Sequence, residues 1–323
     1  MQLSNKFNFK FKDVCIVGFG RHAEYKILPA LEKANLKLKY IITSKNLRYK
    51  NVKIIENIYR STKIIKKRIL IIITSPPAVH FKQAYFFLKN GYNVIVEKPI
   101  VLNFNQMQNL LSVKSKKNQI LIENFMYQYT KIYNENKKLF NINKNKILKI
   151  DINFLIPELK YKSFRNSKCI TSSYIYDIGS YVVSYLNNLG LDYSFKEAKI
   201  ININKENQEN LSFKIITNSN IKIKIFFGYI SKYKNNVVFY LKNKIFFFDN
   251  IFNGLEIEKK IIMKDQRNNK INIFKDKNGF VNIFNKKKSF WIKNQSKRDE
   301  VFLLNSKKIS ELSKFYLINR SIK

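Results

Sequence analysis

Apolar residues in the first 125 positions come in short continuous runs, separated by stretches with helical spacing. Asp13 to Val17 is a mostly apolar run that stops at Gly18, and Gly20 follows. Ile27, Leu28, Leu31 and Ala34 then share one helical face, and a second apolar run, Leu38 to Ile42, ends in Thr43-Ser44-Lys45-Asn46. Strand, glycine turn, helix and strand within about 30 residues form a βαβ unit. The alternation continues with a strand at Arg68 to Thr74, a helix at Ala78 to Asn90 closed by Gly91, and a strand at Asn93 to Val96. A helix at Phe104 to Lys116 and a strand at Gln119 to Glu123 complete it. Continuous apolar strands between amphipathic helices predict a parallel sheet covered on both faces.

Near residue 145 the texture changes. Ile147 to Ile156, Ala198 to Ile203, Leu211 to Thr217, Ile221 to Ile230 and Asn236 to Phe248 read as successive strands, interrupted by one helix at about Ile175 to Leu189. Strands that follow one another without helices predict an antiparallel or mixed sheet. Lys222-Ile223-Lys224-Ile225 alternates as a half-solvated strand should, and Glu300 to Tyr316 has a helical pattern. The pattern therefore reads as an α/β domain with a covered parallel sheet, followed by an α+β domain with an antiparallel or mixed sheet. The boundary falls between residues 1–124 and 125–323, and the C-terminal helix is expected to pack back on the first domain.

Composition narrows the class. A chain of 323 residues with 45% hydrophobic and 15% aromatic residues can bury substantial cores and is not disordered. Two cysteines, Cys15 and Cys169, make neither a disulfide framework nor a zinc site and suit a reducing compartment. Met1 to Asp13 lacks the apolar core of a signal peptide, and the run at Ile69 to Ile73 is soon stopped by Pro76 and Pro77, so a cytoplasmic protein without a membrane span is expected. The formal charge of +39 is spread over clusters such as Lys63 to Arg68, Lys114 to Lys117 and Lys286 to Lys288, with no shared spacing and no stacking aromatics at fixed intervals. Enrichment of Lys, Asn, Ile, Phe and Tyr throughout is what an AT-rich gene produces. No nucleic-acid partner is expected, although a basic surface favours anionic ligands.

Gly18-Phe19-Gly20-Arg21-His22-Ala23 fits Gly-x-Gly-x-x-Ala at a strand-to-helix turn. The first glycine allows the turn, the second admits a pyrophosphate to the backbone, and Ala23 lets helix and strand pack closely. At the end of the second strand an NAD enzyme often carries an acid for the ribose 2′-hydroxyl; here Ser44 and Lys45 stand instead, with no acid until Glu56. A hydroxyl and a cation suit a 2′-phosphate, with Arg21 in reach, so NADP(H) is favoured over NAD(H). Glu97-Lys98-Pro99 follows directly on the strand Asn93 to Val96. That edge is where such a sheet opens its ligand crevice, so Lys98 is expected beside the nicotinamide, where it can hydrogen-bond a ketone or hydroxyl oxygen.

Five blocks, in order, resemble the Gfo/Idh/MocA family of sugar and cyclitol oxidoreductases: Gly18 to Ala23, Thr74 to His80, Val94 to Ile100, Ile122 to Tyr129 and Tyr176 to Leu186. The resemblance implies an α/β Rossmann domain followed by an α+β domain with a large open mixed, mostly antiparallel sheet, and a catalytic helix of the form Asp-x-Gly-x-x-His. This chain reads Asp177-Ile178-Gly179-Ser180-Tyr181, with Tyr in place of His, as in the branch of dihydrodiol dehydrogenases and nucleotide-sugar 3-ketoreductases. It implies Tyr181 as proton donor, Lys98 stabilising its phenolate or relaying the proton, and Asp177 orienting substrate. It also implies a cofactor site of Gly18, Gly20, Arg21, His22, Ala23, Ser44, Lys45, Thr74, Ser75, Pro76, His80, Glu97, Lys98 and Asn124, with His80 orienting its loop. Phe226-Phe227-Gly228-Tyr229 and the Met126-Tyr127 pair lean toward a nucleotide-linked sugar, a small-molecule substrate that Arg165 would help to hold. Thr171-Ser172-Ser173 replaces the family's usual glycines, which motivates a second reading as a cofactor-binding protein without catalysis. A free sugar, cyclitol or dihydrodiol is the alternative substrate. Families of this kind assemble as dimers or tetramers through the second sheet, so a homo-oligomer is expected.

Overall fold

The computed structural model describes residues 9–114, 119–157, 174–195, 197–202, 209–217, 220–229, 232–266 and 268–321. The chain divides into two compact units. The first runs to Phe125 and takes in Phe280–Ser306; the second comprises Met126–Gly279 and the residues from Lys307.

In the first unit, β1 (Asp13–Val17), β2 (Lys37–Ile42), β3 (Lys53–Ile55), β4 (Leu70–Ile73), β5 (Asn93–Val96) and β6 (Leu121–Glu123) form one sheet in the order β3-β2-β1-β4-β5-β6. All its ladders are parallel. Every residue of β4 and β5 is buried, as uninterrupted apolar runs require when helices cover both faces. The helices are α1 (Leu28–Lys33), entered through a π turn at Ala23–Ile27, α2 (Ile58–Ile64), α3 (Pro77–Lys89) and α4 (Phe104–Val113). Side-chain oxygens of Asn57 and Asn103 accept from the first-turn amides of Tyr59 and Gln106 and so fix where α2 and α4 begin. Val94, Val96, Leu110, Leu121 and Phe302 share one core, in which each buried side chain contributes about 1.5–3 kcal/mol. The strand order reverses between β1 and β4, and a doubly wound sheet opens its crevice at the carboxyl ends beside such a point.

The second unit carries β7 (Ile147–Ile156), β8 (Glu197–Asn202), β9 (Glu209–Ile216), β10 (Lys222–Tyr229), β11 (Lys234–Leu241), β12 (Lys244–Asp249), β13 (Glu258–Asp265) and β14 (Asn269–Lys275). They form an eight-stranded sheet ordered β14-β13-β12-β11-β7-β10-β9-β8. Only β7 and β10 pair in parallel among the described strands, so the sheet is mixed and mostly antiparallel. Its helices are α5 (Lys131–Asn143) and α6 (Ser180–Asn188), the latter entered through a π turn at Ile175–Gly179. The later helices are α7 (Gly279–Phe284), α8 (Lys288–Lys293) and α9 (Gln295–Ser321), and the division between the units falls within α9.

Three expectations change. The run Asn236 to Phe248 is not one strand but the hairpin β11–β12, because Lys242 and Asn243 make the turn inside it. The hairpin β13–β14 was missed, since most of β14 is exposed and polar. α5 was missed too: its buried stripe, Ile132, Tyr133, Asn136 and Phe140, contains an asparagine that breaks the apolar pattern. Arg165, Cys169 and Thr171 to Ser173 lie outside the described residues.

α5 depends on a buried charge pair. Asp276 accepts from the backbone amides of Lys131 and Ile132 at 2.8 and 3.0 Å, and its carboxylate lies 3.3 Å from Lys259 Nζ. Both side chains are fully buried. Removing one partner leaves the other charge uncompensated, so Asp276→Asn is expected to cost about 3–5 kcal/mol. Urea unfolding checks this: a loss under 1 kcal/mol would contradict it.

Candidate functional site

The turn after β1 is shaped for close approach. Gly18 has φ +81°, a region L side chains rarely adopt, and a Cβ there would sit 2.7 Å from the Ser75 backbone. Around a Cβ built on Gly20, by contrast, there is nothing within 4 Å. The first glycine is thus needed by the turn, and the second leaves open space over the backbone just before the π turn and α1. The Thr74 hydroxyl donates to the Gly18 carbonyl and its amide to Val17 O at 2.8 Å, which joins the turns after β1 and β4. Ser75 Oγ lies 2.5 Å from Gln83 Oε1, and Pro76 caps the start of α3. A pyrophosphate would meet Gly20 and the amides around Arg21 to Ala23 here, so the residues present fit a dinucleotide. Arg21 is exposed and its guanidinium lies over the Tyr25 ring, 5.2 Å from the centroid. Ser44 and Lys45 are exposed just after β2, where the Lys45 amide donates to Thr43 Oγ1 at 3.2 Å.

The turn after β5 is the most densely bonded part of this edge. Lys98 is half-buried, and the Lys98–Pro99 peptide is cis. Before it, Glu97 is buried and receives His22 Nε2 at 3.0 Å and the side-chain amide of Asn124. Burial alone would raise the Glu97 pKa. The His22 imidazole, the Asn124 amide and the Lys98 charge outweigh it and hold the carboxyl below its usual value, so it is ionised at pH 7. After it, His80 Nδ1 lies 2.8 Å from Pro99 O and Nε2 2.6 Å from Ser75 O, so the ring sits between the turns after β4 and β5. Burial lowers the His80 pKa despite both carbonyls, so the ring is neutral near pH 7 and its one N–H donates to one of the two carbonyls. Asn124 Oδ1 is buried and has no partner within the protein, an acceptor left over for a bound group.

One residue of this edge was not singled out from the sequence. Glu123, the last residue of β6, is buried, and its Oε1 accepts from the Ile100 amide at 3.1 Å. Burial pushes its pKa up to about 7, while the Ile100 amide, Asn305 and Lys98 pull it down and Glu97 pushes it further up. The His22–Glu97 pair was likewise not foreseen. A buried acid at a strand end was the available signal for both carboxyls, since unpaired buried carboxylates are rare.

Within the second unit, Tyr181 is 6% exposed on the first turn of α6. Its hydroxyl is 3.4 Å from Met126 Sδ, and its ring packs against Tyr127 and Phe154, with centroids at 5.7 and 5.2 Å. Met126 is itself fixed by closely apposed glycines, since a Cβ on Gly254 would sit 2.0 Å from its Cγ and one on Gly279 2.1 Å from its carbonyl oxygen. Asp177, buried in the π turn, accepts from the Tyr229 hydroxyl at 3.1 Å. The structure thus places the residues expected to hold a cofactor at one edge of the first sheet, and Tyr181 with Asp177 at the start of one helix of the second unit. Among the described residues no group of His, Cys, Asp or Glu could hold a metal, and no helix is long and apolar enough to cross a membrane.

Two outcomes are expected. Gly18→Ala forces both strain and a clash, costing at least about 1–3 kcal/mol in a denaturant titration, whereas Gly20→Ala leaves the midpoint unchanged and weakens nucleotide binding. For Glu123, a folded pKa raised above the unfolded value means stability that is full below about pH 4.5 and is lost as pH rises through about 7. Glu123→Gln should therefore be relatively more stable than the wild type at pH 8 than at pH 5, by about 2–3 kcal/mol, when unfolding is measured at both.

Comparison with known proteins agrees with this geometry. Residues 12–125 match the family GFO_IDH_MocA, described as an oxidoreductase family with an NAD-binding Rossmann fold. A trans-1,2-dihydrobenzene-1,2-diol dehydrogenase from Xenopus tropicalis is 27% identical over 112 residues, 33% of this chain and 33% of its own length, so the match spans a third of that relative. KijD10, a 3-ketoreductase from Actinomadura kijaniata solved with NADP and TDP-benzene, shares the fold with a TM-score of 0.78 at 17% identity, over 92% of this chain and 95% of that one. A dehydrogenase from Chromobacterium violaceum superposes with a TM-score of 0.73 at 11% identity, over 97% of this chain and 98% of that one. By sequence over residues 12–125 and by fold over nearly its whole length, the protein resembles the Gfo/Idh/MocA oxidoreductases.

Proposed function

We propose that the protein is an NAD(P)-dependent oxidoreductase that reduces a ketone carbon of a sugar, with NADPH as the preferred donor and a nucleotide-linked ketosugar as substrate. The observation that carries the reading is the open space over Gly20 on the same sheet edge that presents Lys98. Nicotinamide, when bound, supplies the hydride. The glycine turn and the amides at the start of the helix hold the pyrophosphate, and Ser44 and Lys45 hold the 2′-phosphate. Lys98 places a positive charge at the ketone oxygen, where negative charge develops. Tyr181 hands its hydroxyl proton to that oxygen, and Asp177, held by Tyr229, orients the sugar hydroxyls. Arg165 is assigned to the substrate's anionic part. The basic chain suits a substrate carrying a diphosphate.

The dihydrodiol dehydrogenase match favours a second reading, oxidation of a free diol or sugar by the same residues. Reaction rates with a free hexose ketone and with its nucleoside-diphosphate form separate the two. At least tenfold higher kcat/KM on the nucleotide-linked form is expected; equal rates would overturn that preference. Tyr181→Phe should lower turnover by about 10²–10⁴-fold with the NADPH dissociation constant unchanged, and wild-type turnover would remove the tyrosine from the chemistry. NADPH should bind at least tenfold tighter than NADH in a nicotinamide fluorescence titration, the scale of one charge-assisted hydrogen bond. Equal binding would remove the preference, and binding of neither would overturn the oxidoreductase reading.

A further inference from the structure

Three hydrogen bonds tie the end of β6 to the segment Val96–Ile100. The Asn124 amide donates to Val96 O at 2.8 Å, the Asn124 side chain donates to Glu97, and Glu123 accepts from the Ile100 amide at 3.1 Å. Glu123 pairs with Val96 in the ladder, so Glu97 and Lys98 follow immediately along the neighbouring strand. Glu123 is buried, and Ile100, whose amide it accepts from, belongs to a buried apolar cluster. A glutamine would accept from the Ile100 amide equally well and would not carry the desolvation cost of a charge. An acid at this position therefore does something that its hydrogen bonds do not require. The charged or titratable groups that act on it are Lys98 and Glu97 from the end of β5, while α9 contributes the amide of Asn305. The Lys98 charge favours the ionised form of both carboxyls, Glu97, which is also engaged by His22 and Asn124, and Glu123.

We propose that Glu123 is a positioning residue for Lys98, holding the Glu97–Ile100 turn through the Ile100 amide and compensating the ammonium's charge from the end of the adjacent strand. This rests on the reading that Lys98 works beside the nicotinamide. When Lys98 is an ammonium it stabilises the Glu123 carboxylate. Burial places the Glu123 carboxyl's titration near neutrality.

The test is an infrared pH titration of the full chain, following the C=O absorption of the protonated carboxyl as the difference between each protein and its Glu123→Gln derivative. In the wild type the band should titrate near neutral pH. In Lys98→Met it should titrate at least about one unit higher, because the ammonium no longer favours the carboxylate. An unchanged midpoint in Lys98→Met, or the absence of a titrating band from pH 5 to 9, overturns the proposal. Thermal unfolding of each variant confirms that folded protein is compared. NADPH binding is measured on the same samples: a Lys98-dependent shift without NADPH binding would sink the oxidoreductase reading but leave the Glu123–Lys98 linkage standing. Binding with no shift would do the reverse.

Discussion

The buried carboxylate of Glu97 joins turns that the parallel sheet delivers separately. It receives His22 from the turn after β1 and Asn124 from the end of β6, and it sits one residue before Lys98 at the end of β5. Burying that charge is affordable only because donors surround it, and those donors come from the segments that would touch a dinucleotide. His80 does for the β4 turn what Glu97 does for the others, bridging Ser75 and Pro99. Four strand ends are thereby held as one polar rim on an apolar sheet, and a ligand that touches one end meets a surface already organised by the rest.

The glycine turn depends on the same rim. Gly18 must be glycine because Ser75 lies against it, and the Ser75 position is fixed in turn by Thr74, His80 and Gln83. Gly20, by contrast, has open space where a Cβ would stand. The second unit follows a different rule. Tyr181, Tyr127, Phe154 and Phe252 pack ring against ring, and Met126 is fixed by glycine backbones, so the tyrosine hydroxyl sits in an apolar, sterically defined place.

Much of this was legible in the order of residues. The runs at Asp13 to Val17 and Asn93 to Val96 are strands with those bounds, since a strand buried on both faces is apolar along most of its length. The Gly-x-Gly-x-x-Ala turn and the Glu-Lys-Pro turn follow β1 and β5 where such turns would. What stayed hidden was long-range or polar. Glu123 and Glu97 are ordinary acids in one dimension and become buried partners of Ile100 and His22 only once the strands pair. α5 was concealed by Asn136, which is buried because the Tyr185 hydroxyl bonds it at 2.7 Å from α6. The β11–β12 hairpin was concealed because both strands are apolar up to a two-residue turn.

The central claim is that one edge of the first sheet is a dinucleotide site ending at Lys98. Amide hydrogen exchange with and without saturating NADPH tests it directly, because it reports where the nucleotide lies without needing a substrate. The account predicts slowed exchange in the peptides spanning Gly18–Ala23, Thr74–His80 and Glu97–Ile100, with the region of Ser44 and Lys45 protected by NADPH and less so by NADH. Protection confined to other segments, or none at all at saturation, would contradict it.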